Sequence, residues 1–149
     1  MDLILWRHAQ AQARREGLAD VDRALTPKGQ RQAERMAEWL NRRLADSTRV
    51  IASPARRCQQ TAQALGRDFR TFEAIGAGAD PDAVLKAAHW PDAGAAVLVV
   101  GHQPTLGLVA AQLLGAGGRG LAIRKGAVWW LRRRAGDAVL QLAIGPADL

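Results

Sequence analysis

Short apolar blocks separated by polar stretches give this chain its pattern, and the period inside the blocks changes several times. Asp2–Trp6 (DLILW) is an apolar run that stops at Arg7, as a short buried strand does. Residues 7–24 are largely polar and carry no period. From Thr26-Pro27-Lys28-Gly29 onward the spacing turns helical, with Ala33, Met36, Ala37, Trp39, Leu40 and Leu44 on one stripe. Thr26 can accept hydrogen bonds from the first free N–H groups, and Pro27 suits the first helical position because it has no N–H to leave unpaired. Arg49–Ala52 predicts a second strand. Ser53-Pro54 then repeats the cap signature ahead of a helix that runs to about Leu65 and closes at Gly66. Phe69–Glu73 (FRTFE) alternates as a brief edge strand, and Asp80-Pro81 caps a third helix reaching roughly Trp90. Ala96–Val100 (AVLVV) is continuously apolar and β-branched, as a central parallel strand is. Gly101-His102-Gln103-Pro104 leads into a helix ending at Leu114, followed by the glycine-rich turn Gly115–Gly120. Ala127–Leu131 and Val139–Ile144 predict two last strands, joined by a hairpin turn at Ala135-Gly136-Asp137.

Strands that alternate with helices predict an α/β fold: a three-layer α/β/α sandwich with a mostly parallel sheet and an antiparallel C-terminal edge. No repeat, linker or low-complexity tract divides residues 1–149, so one domain is expected. No apolar stretch approaches the length of a membrane span, and no charged-then-apolar leader opens the chain. The lone cysteine, Cys58, excludes an internal disulfide framework; with the missing leader it points to a cytoplasmic protein. The net charge of +7 and pI near 11.1 suggest an anionic partner, which phosphate, an acidic protein or nucleic acid would each satisfy. The arginines are spread along the chain, so charge alone names no partner.

The polar residues narrow the choice. Ligands of open α/β sheets bind at the carboxyl ends of the strands. Three predicted strands end there in chemistry: Arg7-His8, Ser53-Pro54-Ala55-Arg56-Arg57, and Gly101-His102. An arginine fork matches two phosphate oxygens, and helix N-termini add positive dipole ends. Two imidazoles and at least two guanidiniums on one rim, with no acidic cage, suit a phosphoryl group held without a metal or other cofactor. Zinc is poorly served, because His89 lies on a predicted helix without ligand spacing to His8 or His102, and Cys58 reads as a small core residue. No serine-hydrolase elbow, Walker loop or dinucleotide fingerprint occurs.

These blocks resemble the histidine phosphatase superfamily, and within it the small SixA-type phosphohistidine phosphatases. The family's Arg-His-Gly motif reads Arg7-His8-Ala9 here, and its Leu-Thr-x-x-Gly helix start reads Leu25-Thr26-Pro27-Lys28-Gly29, preceded by Asp22-Arg23. Ser53-Pro54-Ala55-Arg56-Arg57-Cys58-Gln59-Gln60-Thr61-Ala62, Gly101-His102-Gln103-Pro104 and Lys125-Gly126-Ala127 follow in order. Ala9 replaces a glycine, so φ at that position should be negative. Larger family members insert a helical lid; the short stretch between Gln60 and Gly101 predicts no lid and an open site.

The resemblance implies that His8 is the nucleophile, attacking as neutral imidazole through one nitrogen while a carbonyl holds the other N–H. Arg7 and Arg57 would hold the phosphoryl oxygens, His102 would donate to an oxygen gaining charge, and Arg56 would point away. Glu73 is the candidate proton donor. A pocket without a strong acid favours an imidazole leaving group over an alkoxide, and an open mouth admits a phosphohistidine carried on another protein domain. Two alternatives stand beside this one. A phosphatase of a small phosphorylated metabolite or nucleotide would recruit Arg14, Arg15 or Arg124. A non-catalytic basic module binding phosphate or nucleic acid would use charge alone and be indifferent to His8. With 5 Trp, 2 Phe and no nucleic-acid motif, nucleic acid is the least favoured partner.

Overall fold

The computed structural model describes residues 1–149. The elements run β1 (Asp2–Arg7), α1 (Pro27–Asn41), β2 (Arg49–Ala52), α2 (Arg56–Gln63), β3 (Arg70–Thr71), α3 (Pro81–Ala87), β4 (Val97–Gly101), α4 (Thr105–Leu114), β5 (Val128–Arg134) and β6 (Asp137–Ile144). Single 3-10 turns form at Asp20–Asp22, Glu73–Ile75 and Pro146–Asp148. No helix is long and apolar enough to cross a membrane.

The six strands make one sheet in the order β3-β2-β4-β1-β5-β6. β3, β2, β4 and β1 are parallel, and the β5–β6 hairpin adds the antiparallel edge. Alternation along each strand sends side chains to two layers. Ile4 and Trp6 pack with Met36, Leu40 and Cys58 on the α1/α2 side, whereas Leu3 and Leu5 pack with Val84, Leu106 and Val109 on the α3/α4 side. Burying each such aliphatic side chain stabilises the fold by about 1.5–3 kcal/mol. Trp129 and Trp130 divide between the same layers.

The order of the strands fixes where a ligand can sit. From β1 the chain leaves through α1 toward β2. From β4, which lies beside β1, it leaves through α4 on the opposite face and passes beyond β1 to β5. Two neighbouring strands whose connections diverge to opposite faces open a crevice at their carboxyl ends. The register pairs Arg7 with Gly101, so His8 and His102 are the first residues past the two strands at that crevice.

Several boundaries differ from expectation, each for a local reason. Thr26 caps α1 as predicted, accepting from the Gly29 N–H at 3.0 Å, but α1 stops at Asn41, and Leu44 reaches the core from the turn that follows. α2 starts at Arg56 with Ala55 as its cap; the Ser53 hydroxyl accepts from the Ala55 N–H and meets His102, and bonds no N–H of the helix itself. β3 keeps only two residues: beyond Thr71 the chain winds into the turn that buries Ile75, so Glu73 lies in a 3-10 turn rather than in a strand. α3 ends at Ala87, short of Trp90.

Candidate active site

Backbone pairing fixes His8 on both sides. Its N–H donates to the Gly101 carbonyl at 3.1 Å, and its own carbonyl accepts from the Gly126 N–H at 3.0 Å. The ring Nδ1 stands 2.8 Å from the Ala9 carbonyl oxygen. A carbonyl can only accept, so Nδ1 carries the proton and Nε2 keeps its lone pair. Burial is the main influence on this ring and pushes its pKa down to about 3; His102, Arg57 and Arg7 push the same way, against the Ala9 carbonyl. The imidazole is therefore neutral at any ordinary pH. Ala9 is fully buried with Leu25 and Ala33 and has negative φ, so its methyl group is accommodated without backbone strain.

Arg57 lies on the first turn of α2 and is 3% exposed. Its guanidinium donates to the Asp20 backbone carbonyl at 2.8 Å and to Asp20 Oδ2 at 3.1 Å, and an Nη sits 3.3 Å from His102 Nδ1. His102 Nε2 is 2.7 Å from Ser53 Oγ, which also accepts from the Ala55 N–H. An arginine N–H can only donate, so Nδ1 of His102 is the acceptor and its Nε2–H donates to Ser53. That neutral form agrees with a pKa pulled to about 4, first by burial and then by the Arg57 charge. The His8 and His102 ring centroids are 5.5 Å apart. Arg7 donates to the Ile123 carbonyl at 3.0 Å, and burial together with Arg57 lowers its pKa. The Nε atoms of both Arg7 and Arg57 are buried without an acceptor in the protein. Two such donors beside one cavity are what a bound anion would satisfy.

The cavity over these groups measures about 420 Å³ and draws its walls from Arg7, His8, Arg57 and His102, with Arg14, Arg23 and Lys125 at the sides. No carboxylate lines it. The structure thus gathers four of the five expected residues and leaves Glu73 exposed outside the lining. Arg56 is exposed, as expected from its place beside Arg57. Arg14 reaches the cavity, Arg124 lines a neighbouring one, and Arg15 lines neither. No three His, Cys, Asp or Glu side chains converge as metal ligands. His89 faces a separate cavity. Cys58 is buried 3.5 Å from His102 Nε2, and burial pushes its thiol up to about 12.

Asp20 and Thr61 hold the site together and were not predicted. Asp20 braces Arg57 and Arg23, and Thr61 Oγ1 accepts from the Ala9 N–H at 3.2 Å while donating to the Arg57 carbonyl at 2.7 Å. For Asp20 the only signal in the sequence is indirect, since a buried arginine must find acceptors somewhere, whereas Thr61 stands in the block Ser53 to Ala62 that carries the family resemblance.

The family model described as histidine phosphatase superfamily (branch 1) matches residues 3–75, a span that contains His8 and Arg57. A solved structure proposed to be the phosphohistidine phosphatase SixA of Nakamurella multipartitia is 30% identical, covers 97% of this chain and 95% of that one, and superposes with a TM-score of 0.76. The chain belongs to the histidine phosphatase superfamily. An uncharacterised protein of Mycobacterium tuberculosis is 36% identical to this histidine phosphatase over 120 residues, covering 78% of this chain and 75% of that protein. A solved structure proposed to be the phosphohistidine phosphatase SixA of Agrobacterium tumefaciens superposes with a TM-score of 0.81 at 25% identity, covering 97% of both chains. The tungstate complex of the protein histidine phosphatase SixA superposes at 0.81 and 23% identity over 99% of this chain and 98% of that one, a likeness of fold.

Proposed function

We propose that this phosphatase removes the phosphoryl group from protein phosphohistidine, without a metal, through a transient phosphohistidine on His8. The observation that carries this reading is the His8 ring: the Ala9 carbonyl holds Nδ1–H, burial keeps the ring neutral, and Nε2 is left as a nucleophile beside two guanidiniums with unpaired Nε donors. Nε2 attacks phosphorus as the substrate's P–N bond breaks. The electron pair of that bond stays on the substrate nitrogen, and the ring leaves neutral because its other nitrogen carries a proton. Arg7 and Arg57 hold the oxygens, and His102 takes up a proton at Nδ1 and donates to the oxygen on which charge gathers. Water then attacks the phosphorus of phospho-His8, releasing phosphate and restoring the lone pair.

The absence of any carboxylate in the lining supports an imidazole leaving group, since an alkoxide would need an acid to protonate it. The likeness to the SixA-assigned protein at 25% identity supports the same substrate class. The lone reduced thiol fits a cytoplasmic setting. The test is hydrolysis of a phosphohistidine substrate beside p-nitrophenyl phosphate, with EDTA present, by the wild type and His8→Ala. Preferential cleavage of phosphohistidine that is lost in His8→Ala is expected. Cleavage of the monoester alone would turn the assignment to a small phosphorylated metabolite, and no EDTA-resistant activity on either substrate would refute it.

A further inference from the structure

The catalytic cavity does not end at its own rim. Arg7 and Lys125 also line a second cavity of about 580 Å³, between Arg124 on one side and the ends of β5 and β6 with the Pro146–Asp148 turn on the other. Gln32, Pro146 and Ala147 are in turn shared with a third cavity of about 540 Å³, whose outer edge is Lys28, Arg31 and Arg35 of α1. The three form one open trough leading from His8 to the outer face of α1. Its floor is fixed. Gln32 accepts from the Gln10 N–H at 3.0 Å, and Gly126 sits so close to Pro146 that an added Cβ would approach Pro146 Cγ to 2.8 Å.

The charges along this trough are uncompensated. Lys28, Arg31 and Arg35 share one helix face by their spacing, Arg124 and Lys125 stand nearer the active site, and all five are exposed. None belongs to any of the six ion pairs of the molecule, although Arg14, Arg23, Arg42, Arg57, Arg132 and Arg133 all do. The single carboxylate on the trough, Asp148, is turned back to the Gly145 N–H at 2.8 Å. The middle of the trough is apolar, with Ile144 and a half-buried Trp129 that packs into the α3/α4 layer. A polypeptide bearing acidic and small apolar side chains fits such a surface better than nucleic acid, which would seek exposed aromatic rings to stack on.

We propose that the trough is the docking face for the protein that presents the phosphohistidine, and that the surface it receives is acidic. The inference rests on the substrate class proposed above. Rim charges of this kind act mainly on association and its salt dependence.

The experiment compares two substrates, free phosphohistidine and a histidine-phosphotransfer domain phosphorylated with phosphoramidate. The enzymes are the wild type, Lys28→Glu/Arg31→Glu/Arg35→Glu and the corresponding triple Gln variant. For the charge reversal, kcat/KM on the protein substrate should fall tenfold or more, chiefly through KM, while free phosphohistidine is cleaved within twofold of wild type. The Gln variant should fall part of the way, and added salt should slow the wild type on the protein substrate only. Equal rates for wild type and both variants on the protein substrate would overturn docking and leave the proposed reaction intact. So would an equal loss on both substrates, which would mean that the trough acts through the catalytic groups. Loss of oligonucleotide binding in the variants, with protein phosphohistidine cleaved normally, would reassign the trough to nucleic acid. A wild type that cleaves neither substrate would refute the proposed function itself.

Discussion

Acidification should destabilise this protein through the two histidines of the candidate site well before its carboxylates titrate. His8 and His102 have pKa values of about 3 and about 4 in the folded chain, with burial the first cause of each. Both folded values lie below the ordinary histidine value near 6.5. Between pH 6.5 and about 4 the unfolded chain therefore binds two protons that the folded chain refuses. Stability rises with pH wherever the unfolded state binds more protons, so this contribution is present above pH 6.5 and lost as pH falls. At pH 5 each histidine is about 1.5 pH units below its unfolded pKa, and at about 1.4 kcal/mol per unit each costs about 2 kcal/mol. From pH 7 to pH 5 the expected loss is about 3–4 kcal/mol, a large part of a typical domain's stability. Asp2 and Asp20 are both lowered by their arginine partners, in Asp20 against the opposing effect of burial, so the stability they contribute is present above about pH 4 and lost only below it, outside this window. Urea unfolding at pH 7 and pH 5 measures the difference directly; with m near 2 kcal/mol/M the midpoint should fall by about 2 M. His8→Asn and His102→Asn should each remove roughly half of the pH-dependent loss. Equal stability at the two pH values, or single variants that keep the full wild-type loss, would refute the account of these rings as buried and neutral.

Three further outcomes follow from neighbouring contacts. Gly29→Ala, which would ordinarily favour a helix by about 1 kcal/mol, should instead destabilise by about 2 kcal/mol or more, because the new Cβ runs into the Gln10 carbonyl; thermal unfolding gives the sign. Asp20→Asn keeps the backbone acceptor of Arg57 but removes its charged one, and because Asp20 is 41% exposed the loss should be about 1 kcal/mol in urea unfolding. Cys58 should resist iodoacetamide in the native protein at pH 8 and react at once in urea, since it is fully buried and its thiol stays protonated; native alkylation followed by mass spectrometry would contradict this.

The parts of the fold read correctly from the sequence were those with short-range causes. The carboxyl ends of β1, β2 and β4, the Thr26 cap and the place of the hairpin depend on neighbouring residues, and Arg7-His8 and Gly101-His102 fall at strand termini whichever way the sheet is ordered. The hairpin strands run longer than expected, to Arg134 and from Asp137, because cross-strand pairing extends them. The errors came where one residue had two possible partners. Ser53-Pro54 carries the same signature as Thr26-Pro27, yet the Ser53 hydroxyl lies against His102 instead of capping α2. Whether a serine caps a helix or meets an imidazole 49 positions away is a tertiary choice that local propensity does not contain. Glu73 failed to reach the cavity for a similar reason. Burying Ile75 turns the chain after Thr71, so that Phe72 caps a 3-10 turn and Glu73 opens it instead of extending the strand. Asp20 lay in the stretch without period, where the partner of a polar side chain depends on how the loop closes over the sheet.

These contacts also show why the site is poised for an anion. Arg7 and Arg57 lie close enough that their charges lower the pKa of Arg7 and help keep both histidines neutral. Each guanidinium retains a buried Nε without an acceptor, and the carboxylate that offsets the Arg57 charge, Asp20, is itself 41% exposed. A desolvated cationic cluster of this kind is costly on its own. A phosphoryl group entering beside His8 would reverse each term: it would supply acceptors to the free Nε donors, draw Arg57 away from His102 Nδ1, and favour a proton on that nitrogen. Neutral His8 and a His102 able to gain a proton are then two consequences of one arrangement of charge. On the proposed mechanism, the cations that would hold the phosphoryl group are the same ones that help keep His8 unprotonated.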